Sequence, residues 1–497
     1  MSIIKGIYKK IICQRTYCIM FLIVMTALTS SPLLQIYLGR FVKIGFVWGS
    51  YLVLLDFTSN RSLLKNRSSL WLLLFCASYA VSILIAAPNH LFENISQFLY
   101  MVLFIILLFG NDHNTPVEVK MKELKIVSST YVAVTFALTM VCMLFFLFSV
   151  SFTYYHEIYG NLTVGLSYNR FWGLYNPNTG STLAVISIFM SWMLLVMETI
   201  NSRKFHISNI VFQLIYLLFT QSRTAWYTLL IFGTIMFFVQ LLLWMKKKNI
   251  STIVSAIAAL VIAVAITGSA EILRPVSVKT ISYIPSIIRQ LKNVAFDHGS
   301  FSKDDIKPAI NQRDDEYDPD SNDVTNGRVQ IWRAGIKTFI KNPIFGVTRE
   351  GLYDQVSPHL IEERLDNLKK GGIHNIYISV LVSSGIVGFI FLVIFVFDLC
   401  RTLLFMRVLT VTRENMWQYL LMIIPFSFFL IEIFEARILY RVNIFGVVFW
   451  VFSGYLLYFS EKAIQQEGSC IQGKWIARLE NRFKKRKGKN TKLLRLN

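Results

Sequence analysis

Charge is scarce in this chain. Only 16% of its 497 residues are Asp, Glu, Lys or Arg, well below the quarter typical of soluble domains. That excludes a single water-soluble core, because too little polar surface is available to cover one. Acids are the scarcer sign: 29 Asp and Glu stand against 50 Lys and Arg, a net charge of +21. Cysteine is sparse as well. The six residues, Cys13, Cys18, Cys76, Cys142, Cys400 and Cys470, form no CxxC pair, which argues against a disulfide framework and a cysteine zinc site. No His, Glu or Asp cluster has metal-ligand spacing. The acidic run DDEYDPDSNDVTNG lacks the glutamate that a calcium loop needs at its last position, so no metal and no other cofactor is expected. Internal repeats are missing, and so is a signal-peptide cleavage pattern. The first apolar run reads as a retained helix.

What the chain does have is apolar sequence. Hydrophobic residues make up 54% of it, and the mean hydropathy is +0.52. Runs long enough to cross a hydrocarbon core of roughly 30 Å recur from end to end. The chain therefore reads as an all-α polytopic membrane protein of about twelve transmembrane helices. They are expected near 17–38, 41–57, 69–87, 92–110, 125–149, 180–199, 207–221, 223–244, 250–268, 375–398, 417–434 and 442–459. The seventh and eighth are read as two spans because Arg223 would otherwise sit in the middle of the bilayer.

The positions of Lys and Arg set the orientation. With the N-terminus inside, short inner segments hold Lys5, Lys9, Lys10 and Arg15, then Arg61, Lys65 and Arg67, and later Lys246, Lys247 and Lys248. Short outer segments hold few. Both termini are thus expected in the cytoplasm, with the chain in the cytoplasmic (inner) membrane. Eleven Lys and Arg follow residue 460, which raises the question of nucleic acid. The only aromatics among them are Trp475 and Phe483, so the tail reads as an anchor on anionic membrane lipids, with no nucleic-acid partner.

One segment breaks the pattern. Residues 269–373 form a long outer loop with 15 acids and 15 bases, over half of the chain's acids. Its middle, DDIKPAINQRDDEYDPDSNDVTNGR, reads as mobile. Its end, GRVQIWRAGIKTFIKNPIFG, reads as a short amphipathic helix on the membrane surface, with Ile331, Gly335, Ile336 and Phe339 on one face. The expected organisation is five helices over 1–164, four more with arginine motifs over 165–268, the extracytoplasmic loop over 269–373, three helices over 374–460, and a basic cytoplasmic tail over 461–497.

Four segments carry more than hydropathy: YNRFWGLYNPNTGS (168–181), QSRTAWYTLL (221–230), NGRVQIWRAGIKTFIKNPIFGV (326–347) and HNIYISVLVSSGIVGFI (374–390). In this order, around a long outer loop, they resemble the O-antigen ligase and O-antigen polymerase family of bacterial envelope glycosyltransferases. The resemblance spans roughly 165–440. It implies a metal-independent enzyme that takes a glycan from an undecaprenyl diphosphate carrier at the outer leaflet. The acceptor is either the sugar end of another lipid-linked repeat unit or a lipid-A core sugar. A flippase and a chain-length regulator are the protein partners such an enzyme would have.

The resemblance also assigns roles. His374, followed by Asn375 and an apolar helix, matches the loop-end histidine that would take the proton of the attacking hydroxyl. The second histidine found two residues earlier in many relatives is Gly372 here. Arg223 and Arg170 are read as diphosphate ligands, since a guanidinium donates in pairs to phosphate. Asn178 and the helix N-terminus behind it would add donors. Arg328 and Trp332, one turn apart, are candidates for phosphate and sugar contact. Glu435 is a further candidate, set against simple surface pairing with Arg437 or Arg441. His90, His113, His156, His206, His298 and His359 lack a motif and read as solvated. A lipid-linked oligosaccharide flippase is the alternative of another class, but transporters usually show paired halves, and the outer loop breaks any such symmetry.

Overall fold

The structure is a computed structural model that describes residues 8–467 apart from 60–62, 64–66, 87–88, 157–159, 168–169, 198–201, 297–305, 311–326, 406–411 and 413. Every expected apolar run is helical. The first half comprises α1 (Arg15–Thr29), α2 (Pro32–Leu38), α3 (Val42–Ser59), α4 (Arg67–Ala86), α5 (Leu91–Leu103) with a π-helical extension to Phe109, and α6 (Val117–Leu147). A sheet follows, then α7 (Pro177–Met197), α8 (Arg203–Thr220), α9 (Arg223–Lys247), α10 (Thr252–Ile281) and α11 (Ile284–Phe296). Next come α12 (Arg328–Lys341), α13 (Leu352–Val356), α14 (Glu362–Gly371), α15 (Ile376–Phe405), α16 (Met416–Ile431) and α17 (Ile444–Glu467).

Among the described residues, nine helical segments are long and apolar enough to cross a membrane, while α1 and α16 are apolar but shorter. The chain is thus an all-α polytopic membrane protein in its main architecture, although the count of twelve does not follow from length and composition alone. α8 shows why. Its polar residues face protein: Asn209 donates to Ser187 and Ser191 at 3.0 and 2.8 Å, and Gln213 donates to Asn209 at 3.1 Å. His206, expected in solvent, is buried in the same helix. In the most apolar 18-residue stretch, 78% of the residues are buried in α7 and 94% in α17, against 22% in Thr252–Ala295. The first two are thus enclosed by other elements, and α10 presents an apolar flank.

The stretch before α7 is a three-stranded antiparallel sheet, which hydropathy did not announce: β1 (Phe152–His156), β2 (Gly160–Ser167) and β3 (Arg170–Gly173). A register shift between Gly165 and Leu166 bends it. The bend requires glycine, because Gly165 has φ +89° and a Cβ there would lie 1.9 Å from the Val150 carbonyl oxygen. The acidic stretch 311–326, with the mobility expected of it, and nearly all of the basic tail lie outside the described residues.

α12 corrects an expectation. It packs on α15 and on its own small core of Ile331, Ala334, Val347, Leu352, Val356, Leu368, Ile373 and Val382, a protein contact that the reading of a membrane-surface helix did not include. Ile336, placed on the apolar face from sequence, is 37% exposed, whereas Thr338 is buried. The segment that follows α12 then enters a break in α15. Gly385 has φ +63°, ψ −169° inside the helix. Around it, the backbone N–H groups of Val347 and Thr348 donate to the carbonyls of Val382 and Ser383 at 2.8 and 3.1 Å. The N–H groups of Ile386 and Val387 donate to Pro343 and Ile344 at 2.8 and 3.3 Å. Breaking the helix here forfeits two helical hydrogen bonds, Ile386 N–H to Val382 O and Val387 N–H to Ser383 O, and each of the four backbone groups so freed finds a partner in the inserted segment, as buried backbone requires. A Cβ on Gly385 would lie 2.1 Å from the Ile344 carbonyl oxygen.

Gly385→Ala should therefore cost at least about 1–2 kcal/mol from the left-handed backbone alone, before the overlap with Ile344. A thermal unfolding scan of the purified variant in detergent checks this, and an unchanged midpoint would contradict the described break.

Candidate active site

The candidate residues gather where four pieces of chain meet. The first is the start of α7. Asn176 accepts the Asn178 N–H on its side chain at 3.0 Å and the Gly180 N–H on its carbonyl at 2.9 Å, so it caps the helix, with Pro177 in the first helical position. This fixes Asn178 just inside the helix. The second is β3, whose first residue Arg170 donates through Nε to the Thr220 carbonyl at 3.0 Å and through Nη2 to Asn178 Oδ1 at 3.2 Å.

The third piece is the break between α8 and α9. Gln221 adopts a left-handed conformation, φ +50°, and Ser222 Oγ donates to Asn178 Oδ1 at 3.4 Å. Arg223 follows as the first residue of α9 and so starts at this junction. One turn further on, Trp226 donates through its indole N–H to Glu271, and the Arg274 guanidinium lies 5.0 Å over the same ring. Another cation of α10 is thereby brought close to the start of α9.

The fourth piece is the connection 432–443 between α16 and α17. Two hydrogen bonds fasten it to the start of α15, the Ile376 N–H to the Glu432 carbonyl at 3.0 Å and Asn375 Nδ2 to Ile433 O at 3.0 Å, and a third, from the Tyr377 hydroxyl to Phe429 O at 2.9 Å, reaches the end of α16. Asn375 also caps α15 by accepting the Ile378 N–H at 3.0 Å. His374 precedes that cap in a left-handed conformation, φ +53°. Its ring lies over Gly371, where a Cβ would come 1.9 Å from Nε2.

Glu435 joins these pieces. Its carboxylate lies 3.0 Å from Arg437 Nη2, 3.6 Å from Arg328 Nη2 and 3.6 Å from His374 Nδ1, and it accepts from Asn178 Nδ2 at 3.3 Å. It is 7% exposed. The surface ion pair read from sequence is therefore a buried hub, because the connection folds back over α7, α12 and α15 instead of projecting outward. Burial by itself pushes the Glu435 carboxyl up. Arg437, His374 and Arg328 outweigh it and hold the group down at about 2. Arg328 is pulled below its ordinary value by burial, with Arg437 adding to the effect and Glu435 opposing it.

Glu432, at the end of α16, behaves in the opposite way. Its Oε2 accepts the Arg437 N–H at 2.7 Å and the Ile438 N–H at 3.4 Å, while Oε1 is buried without a hydrogen-bond partner among the described residues. Burial pushes this carboxyl up to about 7. The side chain shapes the turn that carries Glu435 and Arg437.

Arg170, Asn178, Glu435, His374 and Arg328 thus form one connected chain, and Arg223 adjoins it through Ser222. Trp332, a sugar-contact candidate from sequence, is half-buried beside this cluster. Its indole N–H donates to Ile373 O at 3.0 Å, and its ring lies 6.2 Å from Phe434, so it braces the turn ahead of His374. Arg437, considered from sequence only as a partner for Glu435, sits within the cluster, and its Nη1 is buried without a hydrogen-bond partner among the described residues. A charged residue two positions from a buried glutamate was the available signal.

Residues 208–393 match the family model described as O-antigen ligase. The matched stretch holds Arg223, Arg328, Trp332 and His374, while Arg170, Asn178 and Glu435 lie outside it. No curated protein matches the chain.

Two expectations follow. Glu435→Ala would leave the half-buried Arg437 and Arg328 without their carboxylate and should destabilise the protein by about 1–3 kcal/mol, measurable as a lower unfolding midpoint. The Glu432 carboxyl is raised on folding, so its stabilising contribution is complete below about 4.3, the unfolded value, and is lost as pH rises through about 7. Glu432→Gln should flatten that part of a stability-versus-pH curve. A slope identical to that of the unaltered protein would contradict the assignment.

Proposed function

With residues 208–393 carrying the O-antigen ligase signature, a membrane protein of glycan-processing type is the premise, and we propose that it polymerises undecaprenyl-diphosphate-linked repeat units into surface polysaccharide. The reaction takes place at the outer face of the cytoplasmic membrane, where the charge pattern puts the loop. The observation that carries this reading is the continuous set of contacts from Arg170 through Asn178 and Glu435 to His374, with Arg328 and Arg437 on the same carboxylate.

Glycosyl transfer from a lipid diphosphate makes two demands. The leaving diphosphate gains negative charge, and the acceptor hydroxyl must reach the anomeric carbon from the opposite side. Arg170 and Arg223 supply positive charge and paired N–H donors for the first demand, without a metal ion. His374 meets the second. Its Nδ1 faces Glu435, which leaves Nε2 to take the hydroxyl proton as the new C–O bond forms. The bond to the diphosphate breaks, its electron pair departs with phosphate oxygen, and the anomeric configuration inverts. The imidazolium so formed stands beside a carboxylate that stays ionised at neutral pH, which favours the transition state.

Transfer to a lipid-A core sugar, the ligase reading, uses the same residues. Surface glycans of a deletion strain separate the two: single attached repeats mean that polymerisation is lost, whereas long lipid-linked chains mean that ligation is lost.

In nanodiscs supplied with lipid-linked repeats, His374→Ala should slow product formation by about 10²–10⁴-fold. Arg223→Lys, which keeps charge but loses paired donation, should slow it by about tenfold or more. Gel analysis of product length measures both. Full-length product from either variant, or substrate that only changes leaflet, would overturn the reading.

A further inference from the structure

The corner between α10 and α11 has no part in the proposed chemistry. α10 runs for 30 residues, about 45 Å at 1.5 Å per residue, against a hydrocarbon core of roughly 30 Å. The indole N–H of Trp226 on Glu271 sets the end of α10 level with the first turn of α9, on the side of the protein where Arg223 starts. Beyond Glu271, Ile272, Leu273 and Val276 remain exposed, Ile272 to 78%. They prolong the apolar flank of α10 up to the corner.

The turn at Ser282 and Tyr283 is pinned from outside. The Ala309 N–H donates to Ser282 O at 2.8 Å, and Ser286 Oγ donates to Lys307 O at 2.5 Å. α11 then packs on α6, with Pro285 and Gln290 buried. Another side of the helix stays uncovered. Ile284, Ile287, Leu291 and Val294 follow one another at three, four and three residues, so they form a single stripe, and all four are exposed, Leu291 to 56%.

Charge narrows the choice of what covers the stripe. Residues 272–296 contain no acid, but they contain Arg274, Lys279, Arg289 and Lys292, of which Lys279, Arg289 and Lys292 are exposed. A second copy of the chain seated on α11 about a twofold axis would bring these cations towards their own equivalents. Anionic phospholipid meets both demands at once: acyl chains take the stripe, and phosphates take the bases. The stripe also continues the apolar flank of α10, so the solvent that covers one covers the other.

We propose that α11 lies in the plane of the membrane, in the leaflet on the side of the candidate active site, with its stripe among acyl chains and with Arg289 and Lys292 on the phosphates of anionic phospholipid. This docking goes beyond the glycosyl-transfer reading and does not depend on it. It fixes the end of α10 at the level of the headgroups, and through Glu271 and Trp226 it fixes the first turn of α9 there too. Arg223 is thereby held at the depth of the lipid phosphates.

The test places a nitroxide label at Leu291→Cys or Lys292→Cys in the full chain, with Cys13, Cys400 and Cys470 changed to serine and the buried Cys18, Cys76 and Cys142 retained. Each labelled protein is set singly in nanodiscs of mixed phosphatidylcholine and phosphatidylglycerol. Power saturation then reads the access of oxygen, which concentrates among acyl chains, and of a water-soluble nickel chelate. The label at 291 should be open to oxygen and closed to the chelate, and the label at 292 should be open to the chelate. A label at 291 that the chelate reaches as freely as it reaches 292 means water on the stripe, and a label closed to both reagents means protein on it; either result overturns the proposal. Omitting phosphatidylglycerol, or introducing Arg289→Gln with Lys292→Gln, should shift the label at 291 towards the chelate. No shift under either change would overturn the role of the two bases.

Discussion

The Glu435 carboxylate lies in the fold with Arg437 at 3.0 Å, Arg328 and His374 each at 3.6 Å, and the Asn178 amide at 3.3 Å. A carboxylate this buried is tolerable only with such company. Each partner comes from a different part of the chain: the start of α7, the start of α12, the turn before α15 and the connection after α16. Satisfying one charge therefore brings four distant segments to one place. It also leaves the cluster with more guanidinium than carboxylate, which is the electrostatic condition a polyanionic substrate requires.

Glu432 and Glu435 show how position within one short connection separates two chemically identical groups. Glu432 has only backbone N–H donors on one oxygen, and burial prevails over them. Glu435 has cations around it, and these prevail over burial. The first shapes the turn, and the second holds the histidine and the arginines in register. The fastening of α15 to the same connection through Asn375 and Ile376, and to the end of α16 through Tyr377, then transmits that register to His374.

Much of the helical architecture was legible in the sequence because apolar runs of membrane length have few alternatives in lipid. The break at Gln221 was legible too, since Arg223 could not remain mid-bilayer. The sheet at 152–173 was not, because its strands are short and follow an apolar helix without a change of composition. α12 was recognised as amphipathic, but periodicity does not say what an apolar face covers, and its packing against α15 emerges only from the fold. For the site, His374 and the arginines could be picked out by motif. The burial of Glu435 could not, because it depends on where a twelve-residue connection folds rather than on its neighbours in sequence.

The inserted segment 343–348 makes the polar loop and the apolar helix parts of one another. The broken turns of α15 leave four backbone groups that this segment covers, and Pro343, Ile344, Val347 and Thr348 of the segment find their backbone partners there. Neither can be ordered first without exposing polar main chain to an apolar surrounding. The loop is consequently not a detachable module. Exchange of loops between related proteins would have to carry the matching half of the helix with it.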